Sequence, residues 1–598
     1  MENKKQAIIL SGVAIVALLA LIIGATYAYF RASGNSGSNT DINVTTYTLD
    51  LLSFEMGSDI KINADQTSFA SGKGNATGST FAKAILTANN KTNTATKNYY
   101  MYLNISNNTF TYTQNENTPE LLLTITDVSG NAITSITGLT YKTVIDGKGT
   151  SVSGFDITTK SGLLTLFDNR EITASPTKTE EWNVTVTFVN YNVNQTGNAG
   201  KSFNAKLMIQ QEEYELTLAD ICAGKTLSDC VISQYTGTQG DNALYYHNST
   251  LTNGAGDNSY RYAGGDYVLT EAGKATGATM MIGYNNSVTT ALIDFYCNGT
   301  KQYVGYASSC STSHYYLIKG DTTQYQTYNE ALNASVEKGY LTKDNVKNFV
   351  CFGSDATTCP TENLYRIIGV FNNHVKLIKY DYAKSSLLGT DGDFSQEYTS
   401  NYFSGEQGES PSSNSLYYWN NAGTNTWSAS KLNTVNLNTN FTTNIGTAWA
   451  NKIATTTWKV GGGSWANIGT SVPKTAYQYE VGSSASTTTY DAKIGLMYVS
   501  DYYYSASPSA WTLVGYNSDY TKSYASAKGE NWLYGGGWDW TISRFSDHSR
   551  TAFSVNYYGN VYYNGVGDYS GVRPSFSLLS STTYVSGSGS MSDPVRIN

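Results

Sequence analysis

Apolar side chains recur at every second position in a series of short runs between about Asp41 and Glu213, and this period restricts the region to β-structure. The clearest runs are Tyr100 to Ile105, Leu121 to Thr126, Trp182 to Val189 and Ala205 to Gln210. A strand places successive side chains on opposite faces, so each run describes a strand with one face in a core and one in solvent. The runs are separated by NN, SGN, DGKG and QTGNAG, which supply glycine and asparagine for tight turns. Runs of this length and spacing predict a sandwich of two antiparallel sheets over residues 41–213. Composition extends the expectation to the whole chain. With 49 Tyr and 55 Gly but only 8 Pro in 598 residues, the protein is expected to be mainly β with minor α.

The N-terminus constrains location. Lys4 and Lys5 precede an uncharged apolar run from Ala7 to Phe30, which Arg31 closes. A signal core is about 7 to 15 residues long and a spanning helix about 20, so residues 1–31 read as a signal or transmembrane segment nearer the anchor length. A buried soluble helix is the competing reading. The leading lysines should stay cytoplasmic, which puts everything after Arg31 outside the membrane. Residues 32–40, ASGNSGSNT, form a Gly/Ser/Asn linker.

The segment ends in GATYAYF, Gly24 to Phe30, with the small residue Ala28 as a cleavage candidate. This string resembles the long signal sequences of Gram-positive biofilm fibre subunits and camelysin-like proteins. The resemblance implies cutting after Ala28 and a sandwich directly behind the signal. Retention of the segment as an anchor stays open beside it.

Six cysteines fall in three close pairs, Cys222 with Cys230, Cys297 with Cys310, and Cys351 with Cys359. Adjacent pairing is the simplest of the connectivities that six cysteines allow, and closing a loop of about ten residues stabilises by roughly 2 to 3 kcal/mol. Zinc sites favour shorter cysteine spacings with histidine nearby, so disulfides of an exported protein are the better reading.

Beyond the sandwich, residues 214–346 mix a helical patch from Leu216 to Leu227, strands around Tyr296 to Tyr306 and Tyr315 to Lys319, and a helix from Tyr328 to Val336. They are read as an α+β middle module or insertion. The last region, 347–598, opens with a hairpin turning at Asn372-Asn373 and continues with a helix-like stretch from Leu437 to Ile453 and a strand from Ala492 to Val499. It ends in WDWTISRFSDHSRTAFSVNYYGNVYYNGVGDYSGVRPSFSLL. The pieces W-x-I-S-R at Trp540 to Arg544, F-S-V-x-x-x-G-x-V at Phe553 to Val561 and G-V-R-P at Gly571 to Pro574 resemble the C-type lectin-like surface domains. The matching branch is the one shared with formylglycine-generating enzymes and retroelement-diversified binding proteins. The resemblance implies an α+β lectin-like domain in which Arg573 is structural. The formylglycine-generating cysteines are missing, so that activity does not transfer.

Candidate chemistry is sparse. His247, His314, His374 and His548 are scattered, and no HExxH, GxSxG or phosphate-loop motif occurs, so an enzyme is not expected. Asp391 and Asp393 resemble the start of a calcium loop whose remaining ligands are missing. No cofactor or metal is nominated. The net charge of -8, without a basic cluster past the N-terminus, argues against nucleic acid. Aromatics crowd near the C-terminus, and Tyr502, Tyr503, Tyr504, Trp511 and Trp538 are the candidates for a binding surface, with core packing as the alternative. Read as part of a strand, the three consecutive tyrosines cannot all face one side.

The expected function is an extracytoplasmic surface binding or adhesion protein, with a glycan, host protein or matrix protein as ligand. It would hold to the membrane through its N-terminal helix if that is uncleaved. The alternative is a self-assembling subunit of a secreted fibre or biofilm matrix. The resemblance at GATYAYF predicts material in the medium whose intact mass begins at Tyr29, and a full-length mass confined to membranes would contradict it.

Overall fold

The computed structural model describes residues 50–598 apart from 65–71, 90–93, 215, 283–290, 303–309, 311–312, 344, 399–413, 513–529, 536 and 557–558. The predicted N-terminal span, the linker and Ala28 lie outside these residues. No helix among the described residues is long and apolar enough to cross a membrane. The protein is mainly β, and its chain separates into two compact units, 1–216 and 217–598.

Among the described residues the first unit has ten strands. They are β1 (Leu51–Met56), β2 (Ile60–Asn63), β3 (Ala76–Thr87), β4 (Ala95–Asn108), β5 (Leu121–Asp127), β6 (Tyr141–Ile145), β7 (Ser151–Asp156), β8 (Gly162–Ala174), β9 (Thr177–Phe188) and β10 (Ser202–Gln210). One antiparallel sheet has the order β1-β3-β9-β5-β7-β6 and the other β2-β10-β4-β8. The alternation read from the sequence is the alternation of burial in β10, whereas Leu121, Leu122 and Leu123 of β5 and Met101, Tyr102 and Leu103 of β4 are buried on both faces. Along β10, Phe203, Ala205, Leu207 and Ile209 are buried while their neighbours are not. In β3, Ala82, Ala84 and Leu86 enter the same core. The DGKG segment makes the turn between β6 and β7, where the Asp146 carboxylate accepts the backbone N–H groups of Lys148 and Thr150.

One polar chain crosses the interior between the two sheets. Trp182 of β9 donates its indole N–H to Tyr99 of β4 at 2.9 Å, and the Tyr99 hydroxyl donates to Glu180 at 2.7 Å. Arg170 of β8 closes the chain on Glu180 at 2.8 Å and lies 4.6 Å over the Trp182 ring. Burial, more than its bond to Glu180, pushes the Tyr99 hydroxyl well above the ordinary tyrosine range, so it remains a donor at any physiological pH.

The second unit is organised by a larger sheet. Its path runs Leu244–Tyr246, Tyr260–Tyr262, Leu364–Phe371, His374–Lys379, Ser575–Ser577 and Ile494–Gly495, with Phe349–Cys351 pairing alongside Leu364–Phe371. The predicted hairpin is its centre. Asn372 and Asn373 both have positive φ, 47° and 63°, the conformation that a two-residue turn between right-twisted strands needs.

Residues read as a middle module are divided in their packing. Leu244–Tyr246 and Tyr260–Tyr262 belong to the central sheet. Strands Thr279–Ile282, Ala291–Cys297, Thr300–Gln302 and His314–Ile318 form a separate small sheet that shares a core with helix Tyr328–Glu337. The expected pairings of cysteine are all present, Cys222–Cys230, Cys297–Cys310 and Cys351–Cys359. The first of these joins the short helices Leu218–Cys222 and Leu227–Ser233.

Replacing Trp182 removes both the largest ring of the sandwich core and the partner of Tyr99 and Arg170. Trp182→Ala is expected to destabilise the first unit by about 3–5 kcal/mol in urea unfolding followed by circular dichroism.

Candidate functional site

The segment AKIGLMYVSDYYY does not continue as a strand. After Ile494–Gly495 it turns into a helix, Val499–Tyr504, that runs through the core. Successive residues of a helix point about 100° apart, so Tyr502, Tyr503 and Tyr504 enter three different environments, and all three are buried. Each hydroxyl donates to a backbone carbonyl. Tyr502 reaches Gly559 at 2.7 Å, Tyr503 reaches Ile468 at 3.2 Å and Tyr504 reaches Asn253 at 3.1 Å. Trp511 is buried as well and donates to the Ala506 carbonyl. These four residues are core, which corrects the expectation of a binding surface. A tyrosine whose hydroxyl finds a carbonyl can be buried without leaving a polar group unpaired, and sequence period cannot show whether one is in reach.

Trp538 differs. It is half-buried, packs beside Tyr382 and Leu416, and meets the ring of Tyr562 edge-on at 6.1 Å. Tyr562 is 42% exposed and lies on the outer strand Val561–Gly565 of a three-stranded sheet with Asp539–Arg544 and Thr551–Val555. Its ring is parallel to that of Tyr563 at 5.1 Å. Trp465 completes the row, edge-on to Tyr563 at 5.1 Å and to Tyr562 at 6.4 Å.

The row has a rigid floor. Trp465 stacks on Phe553, and Phe545 packs against both Phe553 and Tyr563. Trp465 opens the short helix Trp465–Gly469, whose first turn is capped by the Ser464 side chain. Gly469 is required there, because a Cβ at that position would collide with the Trp465 ring. The exposed and half-exposed rings of Trp465, Tyr562, Tyr563 and Trp538 thus form one surface of fixed geometry. The sequence reading passed over Trp465, Tyr562 and Tyr563. The available signal was the doubled Tyr562-Tyr563 in a short glycine-flanked run near the C-terminus.

The other nominated groups are engaged internally. Asp393 accepts the N–H groups of Asn421 and Leu432, and Asp391 accepts from the Asn440 amide. His247 is buried, and burial holds its pKa well below the ordinary value; its Nδ1 accepts the Ala255 N–H, which leaves the proton on Nε2. His374 bonds the Leu578 carbonyl. Among the described residues, no group of three or more His, Cys, Asp or Glu side chains could hold a metal ion. Arg573 is buried, donating to Asp539 at 2.6 Å and to the Leu533 carbonyl at 2.7 Å.

Neither a family model nor a curated protein matches this chain.

Glu480 supports the buried helix that underlies these elements. Its carboxyl accepts the N–H groups of Val499 at 3.0 Å and Ser500 at 2.7 Å and also bonds the Ser543 hydroxyl. Burial outweighs these bonds and pushes its pKa up to about 7. A carboxyl raised in the folded state contributes stability that is complete below its unfolded value, declines as pH rises, and is gone above the folded value. Stability is therefore expected to fall between about pH 4.5 and 7, by roughly 3 kcal/mol from this group. Glu480→Gln should flatten that slope in urea titrations across the same window.

Proposed function

We propose that the chain is an extracytoplasmic surface protein that binds glycan or matrix ligands through the aromatic row Trp465, Tyr563, Tyr562 and Trp538. The observation that carries this reading is the exposure of adjacent, rigidly backed rings on an edge strand of the second unit. Aromatic faces present large apolar area at small entropic cost, and they stack on the C–H faces of sugar rings or on apolar side chains. The preceding β-sandwich serves as the supporting domain, and the second unit takes the role of a lectin-like module. Three disulfides suit an oxidising compartment, and the apolar run from Ala7 to Phe30 supplies the means of export.

The test uses the full chain on an array of glycans, mucins and matrix proteins. Binding is expected, and Tyr562→Ala should weaken it about tenfold, the equivalent of one lost aromatic contact, with no change in thermal unfolding. Tyr503→Ala should behave in the opposite manner and cost about 3–5 kcal/mol of stability, because its ring is interior. Failure of the unmodified protein to bind any component would remove the proposal's main support.

A further inference from the structure

Lys376 and Asp501 are 125 residues apart in the chain and meet inside the second unit. Lys376 Nζ lies 2.5 Å from Asp501 Oδ2, and the two side chains are 8% and 4% exposed. Lys376 projects from the hairpin strand His374–Lys379, and Asp501 sits in the first turn of helix Val499–Tyr504. Rings enclose the amine, with Tyr498 at 4.8 Å, Trp458 at 5.3 Å and Phe371 at 5.8 Å from it. The carboxyl is held in place by the Tyr498 N–H at 2.9 Å, and Glu480 fixes the same turn through Val499 and Ser500.

Other buried pairs of the unit differ in one chemical respect. Arg366 with Asp266, Arg573 with Asp539 and Arg261 with Asp257 all use a guanidinium, which stays charged and is no nucleophile. Among the described ion pairs, Lys376–Asp501 alone combines a lysine with side-chain exposure below a tenth on both partners. A lysine can give up its proton when buried, and its free amine can attack.

We propose that Lys376 and Asp501 form an intramolecular isopeptide crosslink. In the first step the ammonium passes a proton to the carboxylate 2.5 Å away, giving an amine and a carboxylic acid. Nζ then attacks Cγ of Asp501. The Nζ–Cγ bond forms and the bond from Cγ to its hydroxyl oxygen breaks. That oxygen leaves as water, carrying the acid's proton and one from nitrogen. One positive and one negative charge disappear together, and no oxidant or other reactant is needed. Fixed juxtaposition supplies what an intermolecular condensation in water lacks, and the apolar walls keep the released water from returning. The product ties the central sheet to the helix bearing Tyr502, Tyr503 and Tyr504, in a part of the unit that the three disulfides do not span.

Peptide mapping of the reduced, denatured full chain by tandem mass spectrometry tests the crosslink. The expected result is a branched tryptic peptide uniting the Lys376 and Asp501 segments at their summed mass less one water, uncut after Lys376. Lys376→Arg should return the Asp501 peptide in linear form at full mass, with trypsin cutting after residue 376. Recovery of unmodified linear peptides from the natural sequence, with trypsin cutting after Lys376, would overturn the proposal whatever ligand the aromatic row takes.

Discussion

Arg366 grips Asp266 through both terminal nitrogens, at 2.6 and 2.7 Å, while its Nε donates to Asn348 and its guanidinium lies between the rings of Phe349 and Trp532. This arrangement of a cation paired with a carboxylate and clad in aromatic rings recurs through the second unit, at Arg261 with Asp257 and at Lys376 with Asp501. Removing charge from water is costly, and the cost is offset only where partner and remaining hydrogen bonds are placed together. Such sites favour one arrangement of the chain over its competitors. Asp266 and Arg366 are 100 residues apart and Lys376 and Asp501 are 125 apart, so each pair forms only when distant segments have docked correctly.

The aromatic composition follows from the same constraint. A core containing buried cations and many backbone carbonyls needs side chains that combine apolar area with a hydrogen-bond donor, and tyrosine and tryptophan provide both. Trp419 donates to the Thr541 carbonyl, Trp540 to Tyr417 and Trp532 to Tyr262. The aromatic richness that suggests a binding face is therefore chiefly interior. A smaller set, Trp465, Tyr562, Tyr563 and Trp538, reaches the surface where the sheet ends at an edge strand.

Several elements were legible in the residues. Strict alternation in β10, the Asn372-Asn373 hairpin and the helix after Thr327 all depend on contacts within a few residues. Thr327 and Glu330 form a reciprocal cap at that helix's start, a purely local device. The segment from Ala492 to Val499 misled because its apolar run is short and buried on all sides, and periodicity cannot separate a buried helix from a buried strand there. Asp501, which bonds the Tyr498 N–H from the first helical turn, was the cue to a helix start.

The amino-acid sequence by itself determined the β-rich class and the sandwich period of the first unit, and it made adjacent pairing the simplest of the connectivities open to six cysteines. Each of these is decided by neighbours within about a dozen residues, through strand alternation, turn chemistry and short loop closure. Only the tertiary structure decided which aromatic rings face solvent and which carboxylates meet a buried cation. Burial of Tyr503 depends on carbonyls at Ile468 and Gly469, and placement of Asp501 depends on a lysine in another strand. Those partners are remote in sequence, and the covering of a side chain by distant segments leaves no period in the residues around it.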